Sequence, residues 1–335
     1  MRLLILGGTG WLGGHVASAA RRQGHEVTCL ARGSSGPVPE GVRFVKADRD
    51  RSDAYDLVVA QDWDAVVDVS RQPGQARVAA DVLRNRSALF IFISSVSAYR
   101  DTDVPGADET AALLPPLQGD VMESMQTYGE AKVACEQRVL AAFGPSRSCI
   151  VRVGLIGGPG DLFDRSGYWP LRFARPATVN GAVLTPDAPD LMTQVIDVRD
   201  LAEWIVHGAC NRLAGVFNAT GLPISMSEHL EVARGVANHR GPTVAVDPQW
   251  LQAHGVKPWA GPRSLPLWLP LPKYAGFSSR DSSAARANGL ATRPLQETLA
   301  DVLAWEIGRP SSAVRQAGLT DDEERALLDE VASVS

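Results

Sequence analysis

Leu3-Leu4-Ile5-Leu6-Gly7-Gly8-Thr9-Gly10-Trp11-Leu12-Gly13 follows Met1 and Arg2 and decides how the rest of the chain is read. Four consecutive aliphatic residues suit a short strand covered by helices on both faces. The run is too short for the apolar core of a signal peptide, and it ends in glycines, not in a cleavage site. Gly7, Gly10 and Gly13 then lead into a helix-like stretch over residues 11–23. Gly7 permits a tight turn, Gly10 lets the backbone approach a pyrophosphate, and Gly13 allows close packing of helix on strand. The start of the helix offers oriented amides to negative charge. Strand, loop and helix together predict a dinucleotide site built from Gly7, Thr9, Gly10, Trp11, Leu12 and Gly13. The same glycines outside that context would be a weak signal.

Working outward, short β-rich runs recur at 3–6, 26–30, 42–46, 65–69, 90–94 and 149–153. Helix-like apolar spacing separates them at 11–23, 52–60, 75–85 and 128–143. Such alternation predicts an α/β protein with a Rossmann-type, doubly wound parallel sheet and right-handed crossovers. That domain covers 1–153, and 194–220 return to it through a helix at 197–211 and a strand at 216–218. Residues 154–193 and 221–335 are richer in proline and glycine and hold Trp169, Trp250, Trp259 and Trp268. They are expected to form a smaller substrate lobe with C-terminal helices at 294–307 and 320–331. Thr320 and Glu323 make a capping box at the start of the last one.

The end of the second strand bears on the cofactor. A fold that prefers NAD usually places a carboxylate there for the ribose 2′-hydroxyl. This chain has Arg32-Gly33-Ser34-Ser35 instead. An arginine with a neighbouring hydroxyl, Ser34 or Ser35, suits a 2′-phosphate, which predicts NADP(H) over NAD(H). Asp48 and Arg49, after the third strand, are placed to meet the adenine edge, although a plain turn aspartate reads the same way.

Tyr128-Gly129-Glu130-Ala131-Lys132 sets a phenol and an ammonium one helical turn apart on one face. A phenol ionises near ~10 in water, and a cation beside it favours the phenolate, so Tyr128 is expected to serve as acid or base. Ser94-Ser95-Val96-Ser97 ends the fifth strand, where the carboxyl ends of a doubly wound sheet rim the ligand crevice. One hydroxyl there can steady charge on a reacting oxygen, and the other serines read as strand-end caps.

Composition removes other classes. The net charge of −5, with 33 basic and 38 acidic residues interspersed, gives no basic block for nucleic acid. Four scattered cysteines form no metal or CxxC spacing and fit a reducing, cytoplasmic setting. Neither HExxH nor GxSxG occurs, so no metal site is expected, and no apolar run approaches a membrane span.

The glycine loop, Ser94-Ser95-Val96-Ser97-Ala98-Tyr99, the Tyr128/Lys132 pair and Arg152-Val153-Gly154-Leu155-Ile156-Gly157-Gly158-Pro159-Gly160 together resemble the extended short-chain dehydrogenase/reductases. More narrowly they are similar to the NAD-dependent epimerase/dehydratase family over roughly 1–220. The resemblance implies a Ser95–Tyr128–Lys132 triad. Tyr128 would be the acid/base, Lys132 would lower its pKa and hold the cofactor ribose, and Ser95 would polarise the substrate oxygen. It also implies a homodimer joined through the helices at 75–85 and 128–143. Val96 and Ser97 stand where the family's 4,6-dehydratases carry an acidic pair, which argues against water elimination. Residues 161–176 lack the sugar-nucleotide pattern of the epimerases, leaving Ser97, Tyr168, Trp169 and Arg172 as expected contacts for a small organic substrate. The leading expectation is an NADP(H)-dependent reductase of a carbonyl. A nucleotide-sugar epimerase with tightly held NAD is the alternative, and a non-catalytic dinucleotide-sensing or RNA-associated protein is the third.

Overall fold

The opening strand is covered on both faces, as its aliphatic run requires: Leu3, Leu4, Ile5 and Leu6 are all buried. The computed structural model describes residues 1–310 and 313–334. In chain order it begins with β1 (Arg2–Leu6), α1 (Trp11–Arg22), β2 (Glu26–Ala31), β3 (Arg43–Lys46) and β4 (Ala65–Asp68). Next come α2 (Pro73–Leu83), β5 (Phe90–Ser95), α3 (Tyr128–Phe143) and β6 (Ser148–Val153). The chain then leaves for β7 (Leu155–Gly157), α4 (Tyr168–Ala174), β8 (Val183–Pro186), β9 (Met192–Thr193) and β10 (Val195–Asp197). It returns with α5 (Val198–Cys210) and β11 (Gly215–Ala219) and leaves again for β12 (Ile224–Ser225), α6 (Met226–Val236), β13 (Thr243–Val246), α7 (Pro248–Ala253), β14 (Lys257–Trp259) and β15 (Ser264–Pro266). After α8 (Ser283–Ala287), it ends in α9 (Leu295–Ile307) and α10 (Asp321–Val334).

The first compact unit comprises Met1–Gly154, Val198–Gly221 and Arg280–Ala291. Its seven-stranded sheet has the order β11-β6-β5-β4-β1-β2-β3, parallel at every pairing. Winding reverses between β1 and β4, and ligands of such sheets bind outside the strand carboxyl ends at that reversal. The doubly wound expectation is met. Residues 52–60, expected as a helix, instead form successive turns closed by bonds such as Val58 N to Tyr55 O at 2.9 Å. Trp63 Nε1 donates to the Val58 carbonyl at 2.9 Å and ties these turns to the chain ahead of β4. The return of 280–291, with α8, was not foreseen.

The second unit comprises Leu155–Asp197, Leu222–Ser279 and the chain from Thr292 onward. Small two-stranded pairings (β10-β7, β12-β9, β13-β8 and β14-β15) surround an apolar core that includes Trp169, Phe173, Leu184, Leu251 and Trp268. The capping box on α10 is formed: Thr320 N donates to Glu323 Oε2 at 2.8 Å, and Glu323 N donates to Thr320 Oγ1 at 3.2 Å. No described helix is long and apolar enough to cross a membrane. Among the described residues no cluster of three His, Cys, Asp or Glu side chains could hold a metal ion.

His229 of α6 is fully buried in this unit, with Nδ1 3.3 Å from Thr193 Oγ1, and burial pushes its pKa down from 6.5 to about 4. The unfolded chain therefore takes up this proton at a higher pH than the folded one. The stability tied to His229 is whole above 6.5 and falls by up to about 3 kcal/mol as the pH drops from 6.5 towards 4. Denaturant unfolding of wild type and His229→Leu across that interval should show the loss in the wild type only. Parallel pH profiles would contradict this account.

Candidate active site

Each glycine of the first loop has a steric reason. Gly7 has φ +89°, and a Cβ there would stand 2.5 Å from Val69 Cγ2. A Cβ on Gly13 would lie 2.3 Å from the Gly7 carbonyl oxygen, so helix and loop touch only because the side chain is missing. Gly10 caps α1 in an extended conformation, no side chain bonds the cap amides, and the first turn holds no acidic residue. A Cβ on Gly10 would meet only the Gly7 carbonyl, at 3.3 Å. These residues fit a dinucleotide pyrophosphate held by the first-turn amides beside Thr9, Trp11 and Leu12.

Arg32, Ser34 and Ser35 are exposed in the loop after β2. A Cβ on Gly36 would come within 2.8 Å of the Thr9 carbonyl, so that loop folds back onto the glycine loop. The adenine-edge expectation fares worse. Arg49 donates Nη1 and Nη2 to Asp68 at 2.7 and 2.8 Å, Nε to Tyr55 Oη at 2.8 Å and Nη2 to Gln75 O at 2.9 Å. Burial opposes its charge, but Asp68 and Tyr55 outweigh that and hold the guanidinium above its ordinary value. Arg49 thus has its donors committed to Asp68, Tyr55 and Gln75, which tie it to β4 and α2. Asp48 caps its own turn, accepting from Asp50 N at 3.2 Å.

The residues expected to transfer a proton lie on β5 and at the start of α3. Ser95 is buried and accepts from Ser97 N at 3.1 Å, capping the short 3-10 turn over Val96–Ala98. Gly129 lies flat on that turn, where a Cβ would be 2.2 Å from the Ser97 carbonyl oxygen and 2.5 Å from Leu114 Cδ1. The glycine inside Tyr128-Gly129-Glu130-Ala131-Lys132 is what brings the first turn of α3 against the strand end that carries Ser95. Tyr128 is half-buried there. Lys132 is buried, with Nζ donating to Ser70 O at 2.7 Å and Ile93 O at 2.6 Å and lying 5.7 Å from the Tyr128 ring centre.

The expected substrate contacts in the second unit are corrected. Trp169 is fully buried and donates Nε1 to Pro266 O at 2.8 Å, and Tyr168 is buried against it, edge to face. Arg172 pairs with Asp321 at 2.7 Å and Glu324 at 2.9 Å and donates to Leu319 O. All three build that unit's interior and present nothing to a substrate. Ser97 is half-buried, with its backbone pressed against Gly129.

Sequence reasoning missed Ser94, Glu136 and Arg152. Ser94 Oγ donates to Glu136 Oε1, and Arg152 grips the same carboxylate through Nε at 3.1 Å and Nη2 at 2.8 Å. The available signal was periodicity, because Glu136 is one turn beyond Lys132 on the same face.

Residues 3–81 match the family model described as the NAD dependent epimerase/dehydratase family. That match is confined to the opening strands and helices of the first unit. The chain is also 35% identical over 198 residues to a 2'-dehydrokanamycin reductase of Streptomyces kanamyceticus, a match covering 56% of this chain and 52% of the relative. The chain thus matches about half the length of that curated relative. Among solved structures, a UDP-N-acetylglucosamine 4-epimerase from Bacillus cereus superposes with TM-score 0.66 at 17% identity, covering 94% of this chain and 99% of that one. A Thermus thermophilus UDP-glucose 4-epimerase complex with NAD gives TM-score 0.65 at 18% identity, with 92% and 100% covered. At such identities the superpositions establish the shared fold.

The Gly129 contact can be tested by stability alone. Gly129→Ala should cost about 1–3 kcal/mol, because the added methyl meets backbone that cannot yield. Gly14→Ala, where the nearest atom to a new Cβ is 3.8 Å away, should be neutral or stabilising. Urea unfolding of both variants decides it. Equal midpoints would mean that α3 does not depend on this contact.

Proposed function

We propose that the protein is an NADP(H)-dependent oxidoreductase that reduces a carbonyl of a small organic molecule, or oxidises the corresponding alcohol. The observation supporting this reading is the seating of Gly129 on the Ser97 carbonyl, which brings the start of α3, with Tyr128, against the turn that follows Ser95. A reduced nicotinamide cofactor, when bound, supplies the hydride. Tyr128 delivers the proton to the substrate oxygen, and Ser95 donates a hydrogen bond to that oxygen as charge builds on it. Lys132 contributes a fixed positive charge close to the phenol and to the cofactor ribose.

The cofactor preference rests on Arg32, exposed at the end of β2 with Ser34 and Ser35 nearby. The reductase reading is supported by the name of the Streptomyces relative, and 2'-dehydrokanamycin heads the substrates to try. The epimerases of like fold support the alternative, a nucleotide-sugar epimerase that keeps NAD bound throughout. A homodimer through α2 and α3 is part of the proposal, as is a cytoplasmic setting, which the free cysteines support.

Purified protein mixed with NADPH or NADH and a ketone panel should oxidise NADPH faster, and Tyr128→Phe should lower kcat by roughly a hundredfold or more. Full turnover in that variant would end the mechanism. Protein that purifies with stoichiometric NAD resistant to dialysis would favour the epimerase instead. Arg32→Glu should lower the ratio of kcat/KM for NADPH over NADH by about tenfold or more, whereas an unchanged ratio would remove Arg32 from cofactor selection.

A further inference from the structure

Glu136 is buried as deeply as Lys132, at 2% and 3% exposure, and it continues the helical face of Tyr128 and Lys132 by one turn. A carboxylate in that position is costly unless its oxygens are fully engaged. Both are. Arg152 grips them from β6, and Ser94 donates to one of them from β5. Ser94 and Arg152 are register partners on adjacent strands, so one carboxylate bridges a matched pair of residues. The preceding residue on β5, Ile93, gives its carbonyl to Lys132. Two successive turns of α3 therefore hold two successive residues of β5, and Ser95 is the next residue in the chain. Behind them Arg152 is braced by Tyr99 Oη and Glu109 O, each at 3.1 Å, and Tyr99 Oη donates to Asn218 Oδ1 at 2.7 Å.

We infer that Ser94 and Glu136, braced by Arg152, are positioning residues that fix Ser95 against Tyr128 and Lys132. Neither reaches the reacting atoms. They act by denying the strand end any freedom to slide or twist relative to the helix. The inference rests on reading Ser95, Tyr128 and Lys132 as the proton-transfer set, and it adds the part that aligns them.

Ser94→Ala removes one hydroxyl and leaves the Glu136–Arg152 pair intact, and Glu136→Gln keeps the side-chain volume. Both should lower kcat by roughly ten- to a hundredfold while leaving the cofactor KM within about twofold. In a Tyr128→Phe background, Ser94→Ala should cause little further loss, because the alignment it supports no longer matters. A merely structural defect would multiply the loss instead. Amide hydrogen exchange should show residues 93–97 and 128–133 losing protection in Ser94→Ala while 26–31 keep theirs. Unchanged kcat, an undiminished loss in the Tyr128→Phe background, or unchanged protection at 93–97 would each overturn the inference. If Glu136→Gln does not fold, Ser94→Ala decides alone. If the wild type turns over none of the ketones, the functional reading fails, and hydrogen exchange still decides whether the clamp exists.

Discussion

The ammonium of Lys132 is buried, and much of the first unit is arranged around satisfying it. An ion taken out of water must recover its lost solvation from nearby dipoles. The dipoles here are the carbonyls of Ser70 and Ile93. They are available because the β4–β5 ladder ends at Asp68 and Phe92, so that Ile93 has no partner on the β4 side. The chain beyond β4 diverges there, with Asp68 turned to Arg49 and to Ser70 N. The end of the β4–β5 ladder, one strand over from the reversal between β1 and β4, thus makes room for a cation, and α3 supplies one. The position of Tyr128, one turn earlier on the same helix, follows from the seating of Lys132.

Cationic groups gather at the carboxyl ends of these strands although the chain carries a net charge of −5. The start of α1 presents amides, Arg32 stands exposed after β2, and Lys132 lies behind. The one carboxylate at the end of β4, Asp68, is held in a two-pronged ion pair by Arg49 and adds no net negative charge. An anion approaching the crevice meets fixed dipoles and cations. The molecule's overall sign says little about that local field.

The parts of the molecule governed by local rules were legible in the sequence. The aliphatic run at 3–6, the glycine spacing, the span of α3 and the capping box of α10 each follow from a few neighbouring residues. Long-range partners were not. Arg49 looked like a ligand contact because nothing in its neighbourhood announces Asp68, nineteen residues away. Residues 52–60 have helical spacing, yet they form successive turns. Tyr168, Trp169 and Arg172 resembled a pocket because aromatic and arginine side chains line pockets and build irregular cores alike, and only Asp321, Glu324 and Pro266 tell the two apart. At the candidate site, the motifs that carry Ser95, Tyr128 and Lys132 stand out in the sequence. Ser94, Glu136 and Arg152 could not, since their roles exist only through register across three elements.

The second unit shows how the misreading of Tyr168, Trp169 and Arg172 arises. Three separated stretches of chain build it, and its two-stranded pairings are too short to fix their alignment by backbone hydrogen bonding alone. Apolar packing tolerates small shifts in register, whereas an ion pair with directional hydrogen bonds does not. The unit uses buried charge at its joints. Arg172 of α4 is matched to Asp321 and Glu324 of α10, and Glu324 also accepts from Leu184 N of β8 at 2.8 Å. Asp164 accepts from Gln316 N at 2.7 Å and from Arg309, which also meets Glu306, while Arg315 returns to Glu306 at 2.8 Å. Burial works against the Glu324 charge and raises its pKa, with Arg172 opposing that shift. Such pairs contribute little net stability over an apolar equivalent. Their value is geometric: each tolerates only one alignment of the segments it joins. Arginines and acids in a loop-rich lobe are accordingly as good a sign of chain alignment as of a bound ligand, and distinguishing the two requires the partner's position, which sequence spacing does not give.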